Sequence, residues 1–158
     1  MSRNKAKRTR GFSLLELVVV VVIIGIIAAV AIPRLSRGSA GAADSALAGD
    51  LAVLRNSIDL YSAEHGGAFP TVTNIENAML QYSDAAGTIS ARKDTTYIYG
   101  PYLRKLPPLP VGAKKGKVNI AAATGADVGW IYTATTGDIR ANTTATEKDA
   151  AGKLYRDY

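Results

Sequence analysis

There is no cysteine in the 158 residues, and only one histidine and one tryptophan. Without cysteine the fold has neither a disulfide staple nor a thiolate metal site, so nothing points to an oxidising compartment. Histidine is reduced to His65, and no GxSxG, HExxH or paired-carboxylate pattern accompanies it, which leaves no constellation for hydrolysis and no catalytic residue to name. His65 stands at the end of a helical pattern beside Gly66 and Gly67, where an exposed side chain is expected. Charge of one sign is also scarce once its distribution is read. The formal net charge is +6, but five of the nineteen basic side chains, Arg3, Lys5, Lys7, Arg8 and Arg10, lie in the first ten residues. That leaves fourteen basic side chains against the thirteen acidic ones. The basicity therefore belongs to the leading segment, and no nucleic-acid partner is expected. The length suits one modest domain of about 100 to 150 residues plus an extension.

What is present is a long apolar run. Residues 12–32, FSLLELVVVVVIIGIIAAVAI, carry a single charge, Glu16. As a helix the run rises about 30 Å at roughly 1.5 Å per residue, enough to cross a hydrocarbon core. The basic segment ahead of it should stay cytoplasmic, which puts everything after Pro33 on the far side of the membrane. Three readings compete. A secretory signal peptide is supported by the small-x-small triplet Ala29, Val30 and Ala31, but the run exceeds the roughly 7 to 15 residues of a usual h-region and has a carboxylate near its start. A plain anchor explains the length and leaves Glu16 without a purpose. The third reading is a class III prepilin leader.

The string GFSLLELVVVVVIIGIIAAVAIPRL resembles the start of type IV pilins and of type II secretion pseudopilins. Gly11, Phe12, Glu16, Gly25 and Pro33 occupy the places that this family specifies. The resemblance implies cleavage between Gly11 and Phe12 by a prepilin peptidase and methylation of the new Phe12 amine by the same enzyme; the missing amide and the ring of Pro33 predict a helix bent there, with Gly25 loosening it as well. Glycine at the cleaved position suits close approach of the peptidase to the backbone. Methylation keeps the amine positive, so the terminus needs an anion on leaving the cytoplasmic face. By resemblance that anion is Glu16 of a neighbouring subunit, in a buried pair that fixes register more than it adds stability.

Past Pro33 the helical pattern continues with other chemistry. Leu47, Leu51, Leu54, Ile58 and Tyr61 recur at three- and four-residue spacings, with Asp44, Asp50, Arg55, Asp59 and Glu64 on other faces. This predicts an amphipathic half-helix ending at Gly66–Gly67 with Pro70 as a stop, and joined to the apolar half it makes about 50 helical residues. Thr73 and Glu76 have capping-box spacing for a short helix over 74–82. The small, polar stretch 83–96 reads as an exposed loop. Residues 97–102 and the following LRKLPPLPVG read as extended, with Pro107, Leu109 and Pro110 in a segment laid against the domain. Lys114, Lys115 and Lys117 around Gly116 read as a solvated turn, since no phosphate-loop motif completes them. Strands are predicted over 117–123, 128–134 and 138–142, the last two joined by a TTGD turn using Gly137.

The string GWIYTATTGDIRAN is similar to the terminal hairpin of pseudopilin-like proteins. The chain thus divides into a leader (1–11), a transmembrane and assembly half-helix (12–35), an amphipathic half-helix (36–65), a globular head (66–142) and a polar tail (143–158) expected to be mobile. The fold class is α+β, a long N-terminal helix packed on a small antiparallel sheet. The resemblance implies a non-enzymatic filament subunit whose precursor sits in the inner membrane with its head in the periplasm. Its partners would be the prepilin peptidase, identical and related pilin-like subunits and the inner-membrane assembly platform. Lack of a cysteine pair favours a type II secretion pseudopilin over a type IV pilin for adhesion, motility or DNA uptake, and either over a membrane-anchored periplasmic binding domain. Major pseudopilins bind calcium near the C-terminus. Asp127 and Asp138 are the candidate donors here, but two carboxylates fall short of the six to eight oxygens calcium takes, so no metal residue and no cofactor is assigned.

Overall fold

A computed structural model describes residues 11–158, and of residues 33–37 it describes the backbone alone. The leader cations and the Pro33 side chain lie outside the described residues. The chain falls into two units, Met1–Gly38 and Ser39–Tyr158. Helix α1, Leu14–Glu64, contributes to both, and its assignment passes through Gly25 and Pro33 without a break.

In the first unit the stretch Leu14–Ile32, of mean hydropathy 3.2, is long and apolar enough to cross a membrane. Among the described residues nothing covers its large side chains, which from Phe12 to Ile32 are 48% to 83% exposed. So continuous an apolar surface requires lipid or other helices around it.

The second unit is built around the other half of α1. All five residues of the predicted stripe are buried, Leu47, Leu51, Leu54 and Ile58 almost completely. They meet the short helix α2 (Ile75–Leu80), through Ile75 and Met79, and the sheet, through Trp130, Tyr132 and Ile139. Two strands, β1 (Tyr82–Ser83) and β2 (Ile89–Ser90), pair as a small hairpin, and β3 (Asn119–Ala121), β4 (Val128–Thr133) and β5 (Asp138–Ala141) form a second sheet. The fold is α+β as expected, and β4–β5 is the antiparallel hairpin, turning at Gly137 with φ 76°. A β-carbon there would run into the Phe69 ring, so glycine is required by space as well as torsion. Strand β3, however, pairs parallel with β4. A parallel neighbour usually needs a dozen connecting residues. Here β3 is only three residues long, so the short loop between them can return the chain to its starting level. Gly129 permits this tight approach, since a β-carbon on it would overlap the carbonyl of Lys117. The aromatic tips in the core are satisfied by proline segments: Trp130 Nε1 donates to the Pro107 carbonyl (2.9 Å) and Tyr132 Oη to that of Pro70 (2.9 Å). The proline-rich segment thus lies against the domain, with Leu109 fully buried.

Four sequence expectations change. His65 is buried, not exposed: it stacks on Tyr61 at 3.8 Å, and its ring nitrogens meet the Tyr61 carbonyl and Ser83 Oγ. Ser83, placed in an exposed loop, is fully buried in consequence. The Thr73–Glu76 capping box does not form, because Asn74 takes the cap position of α2 and Glu76 Oε1 instead accepts from the Ile120 amide (2.7 Å). The tail after Thr143 folds back onto α1 rather than hanging free. Tyr155 Oη donates to Asp44 Oδ1 (2.8 Å), Arg55 donates to the main-chain oxygen of Tyr158, and Tyr158 Oη donates to Asp149.

Two tests follow. We expect Leu54→Ala to destabilise the head by about 2 to 5 kcal/mol, the range for deleting a buried leucine, in denaturant unfolding; unchanged stability would contradict the assigned face. The tail test uses pH. The Tyr158 hydrogen bond holds the Asp149 carboxyl below its usual range, and the same bond pushes the phenol up to about 12. The depressed acid stabilises the docked tail above its unfolded pKa and loses that effect as pH falls through the folded value. The raised phenol stabilises it below about 10 and loses the effect as pH rises through the folded value. Amide protection at Ala151 and Lys153 should therefore weaken at both extremes, and Tyr158→Phe should shrink the alkaline step to the part carried by the Tyr155–Asp44 bond and speed tryptic cleavage after Lys153 at neutral pH. Cleavage at the wild-type rate would mean the contact does not hold the tail.

Candidate processing and assembly site

The residues singled out at the N-terminus lie together at the start of α1. Gly11 is exposed, with open space around the position a β-carbon would take, and Phe12 is 83% exposed. The Gly11–Phe12 bond lies in a non-helical segment immediately before the helix.

Ser13 caps α1, a role the sequence reading passed over. Its hydroxyl accepts from the Leu15 amide (3.3 Å), and its carbonyl accepts the first helical bond, from Leu17 (3.2 Å). In return Glu16 Oε2 accepts from the Ser13 amide (3.1 Å). This is a capping box, in which two amides that would be orphaned in an apolar environment are satisfied reciprocally. The signal was available as the spacing Ser13-x-x-Glu16, read only as an ion-pair position. Glu16 also stands in the first turn, where the helix dipole favours an anion.

Magnitudes decide how far the cap can carry the carboxylate. A cap contributes about 1 kcal/mol and the dipole about 0.3 to 1 kcal/mol, whereas an ionised side chain at the centre of an apolar layer costs roughly 2.5 to 3.5 kcal/mol on insertion scales. Internal bonding is sufficient at a membrane surface and insufficient deeper in. The Phe12 nitrogen lies one residue before the amide that Glu16 contacts.

The remaining candidates do not converge. Asp127 and Asp138 flank opposite ends of β4, whose six residues at roughly 3.3 Å each span about 20 Å. Asp127 is paired with Lys117 (2.6 Å), which holds its carboxyl below the usual range, and Asp138 accepts from the Thr136 hydroxyl. They cannot ligate one calcium ion together. Among the described residues no group of three or more acidic or imidazole side chains is arranged to hold a metal. Of the three lysines expected in a solvated turn, Lys115 is exposed beside Gly116, whereas Lys114 is half-buried and Lys117 is paired with Asp127.

The geometry so far defines a class: an apolar helix with a capped, charged first turn directly after an accessible Gly–Phe bond, carrying an α+β head that fits the pilin fold. Comparison with known families agrees, since residues 6–32 match the prokaryotic N-terminal methylation motif. The chain therefore carries a class III prepilin leader, which is consistent with the type IV pilin and pseudopilin family. The match ends within the apolar half of α1 and does not extend to the head. No curated protein and no solved structure matches the chain.

The cap is testable by hydrogen exchange on the full chain in detergent micelles. Ser13→Ala should speed exchange of the Leu15 amide, and Ser13→Thr should leave it near wild type; equal rates in all three would remove the capping role.

Proposed function

We propose that the chain is a structural subunit of a filament, cut after Gly11, methylated on Phe12 and added to the filament base from the inner membrane, and that the machine is a type II secretion system. The observation that carries the reading is the Gly11–Phe12–Glu16 arrangement at the head of an apolar helix that no described residue covers. On this reading the peptidase and the assembly platform act on the same few residues in succession. While the subunit waits in the membrane, Glu16 caps its own helix. As the subunit leaves, the carboxylate pairs with the methylated amine of Phe12 on an adjacent copy, with Coulomb attraction of roughly 4 kcal/mol at 4 Å and an effective dielectric of 20, before desolvation offsets much of it. Gly25 and Pro33 are the points at which the helix bends during packing, because Pro33 lacks an amide and its ring opposes the carbonyl one turn back. Absence of cysteine supports the secretion assignment over an adhesive or motile pilus. The head resides in the periplasm, on the side opposite the basic leader.

The two steps are separable by mutation. Mass analysis of membrane-extracted protein should show residues 1–11 missing and Phe12 methylated, and a start at Ile32 would instead support a signal peptide. Gly11→Val should leave an inserted, uncut precursor. Glu16→Ala and Glu16→Leu should both be cut and carry a folded head, yet yield few or no filaments by electron microscopy. Wild-type filament yield from Glu16→Ala would sink the docking role.

A further inference from the structure

The face of the β3–β5 sheet turned away from the core holds a feature separate from the Glu16 site. Along β4, Trp130 and Tyr132 enter the core cluster, whereas Ile131 between them lies outside it and is still only 7% exposed. Ile131 lines an open cleft of about 340 Å³, together with Lys114, Arg140, Thr143, Thr144 and Glu147. That volume is within the range of small-ligand sites. Ala122 and Ala123 add methyl groups to its wall.

The polar groups of the cleft are unevenly satisfied. Arg140 lies directly across the sheet register from Ile131 and is exposed, and its guanidinium has no hydrogen-bond or ion-pair partner among the described residues. The Lys114 ammonium reaches only the Ala126 carbonyl, at 3.5 Å. Thr143 Oγ1 is buried and has no partner among the described residues, which native structures tolerate rarely and at a cost. Glu147 is the opposing charge. Its Oε1 accepts from the Ala113 amide and its Oε2 from the Thr144 amide, bonds that hold its carboxyl below the usual range. It is an anion committed to the backbone, and two cations stand against it. A guanidinium fork with free donors selects a planar, two-oxygen acceptor over a point charge, while Ile131 and the alanines offer cover for an aliphatic chain.

We propose that this cleft binds a carboxylate on a short aliphatic stem, whether the side chain of an acidic residue or a small free acid. The Arg140 guanidinium takes the two oxygens, the Thr143 hydroxyl gains its missing partner, and the stem rests on Ile131. The site is independent of the secretion assignment and of the Glu16 pair.

The probe is butyrate, added to the full chain in detergent micelles with isoleucine, alanine and threonine methyls labelled for NMR. Saturable shifts are expected at Ile131, Ala122 and Ala123, and none with butylamine. Loss of the charge-assisted pair in Arg140→Gln should weaken binding roughly tenfold or more, and Thr143→Val should weaken it several-fold with the rest of the spectrum unchanged. No saturable shift, equal shifts with butylamine, or wild-type binding by Arg140→Gln would overturn the site. Carbodiimide coupling of assembled chains then identifies the source. A link from Lys114 to an acidic residue of a second copy assigns the carboxylate to the filament itself, and butyrate binding without such a link assigns it to a ligand from outside.

Discussion

A carboxylate inside an apolar helix must be compensated, and the rest of the chain's behaviour follows from how Glu16 meets that requirement. Its own first turn supplies part of the answer, through the Ser13 amide and the helix dipole. Those contributions together are about 1 to 2 kcal/mol, enough to hold an ionised group at an interface and too little to carry it among apolar neighbours. The same residue can therefore be stable in a waiting subunit and still be driven toward a cation when surrounded by other helices. On the proposed function, cleavage after Gly11 would place that cation on the residue next to Ser13 and change the electrostatics of the first turn.

The head is governed by a separate constraint, the covering of one stripe of α1. Leu47, Leu51, Leu54 and Ile58 have no stability alone, and each removes roughly 1.5 to 3 kcal/mol worth of apolar surface from water only when the sheet is present. The sheet is small, so the chain recruits irregular segments to complete the cover. Proline segments satisfy the Trp130 and Tyr132 tips, Tyr102 donates to Glu64, and the tail is tied to Asp44 and Arg55. Half of α1 is thus satisfied within the chain, and the half before Pro33 is left with its apolar surface bare. This division of one helix between an internal partner and an external one matches the two units of the structure.

Local patterns were legible, and partners distant in sequence were not. The α1 stripe follows from three- and four-residue spacing, and the β4–β5 hairpin from alternation around a glycine turn, so both were readable in advance. His65 was misread because its burial depends on Ser83, eighteen residues away, which no local pattern announces. The tail was misread for the same reason, since Asp44 lies more than a hundred residues before the Tyr155 it holds. Capping boxes show the limit most plainly. The same Ser/Thr-x-x-Glu spacing occurs at Ser13–Glu16 and at Thr73–Glu76, and only the first forms. At the second, the Ile120 amide of an adjacent strand competes for Glu76 and Asn74 takes the cap. A motif fixes which groups can meet, and the tertiary surroundings decide whether they do. The parallel β3–β4 pairing is a similar case, because only the closeness permitted by Gly129 makes so short a connection workable.

The most direct test of the account is a distance between copies of the chain. Filaments would be assembled from an equal mixture of subunits carrying ¹⁵N at Phe12 and subunits carrying ¹³C at the Glu16 carboxyl, and the dipolar coupling between the two labels measured by solid-state NMR. The account predicts an intersubunit coupling corresponding to about 4 Å, with the Ser13 amide released from Glu16 in the filament. A Glu16 carboxylate that remains on its own Ser13 amide, with no coupling to the amine of another subunit, would contradict it.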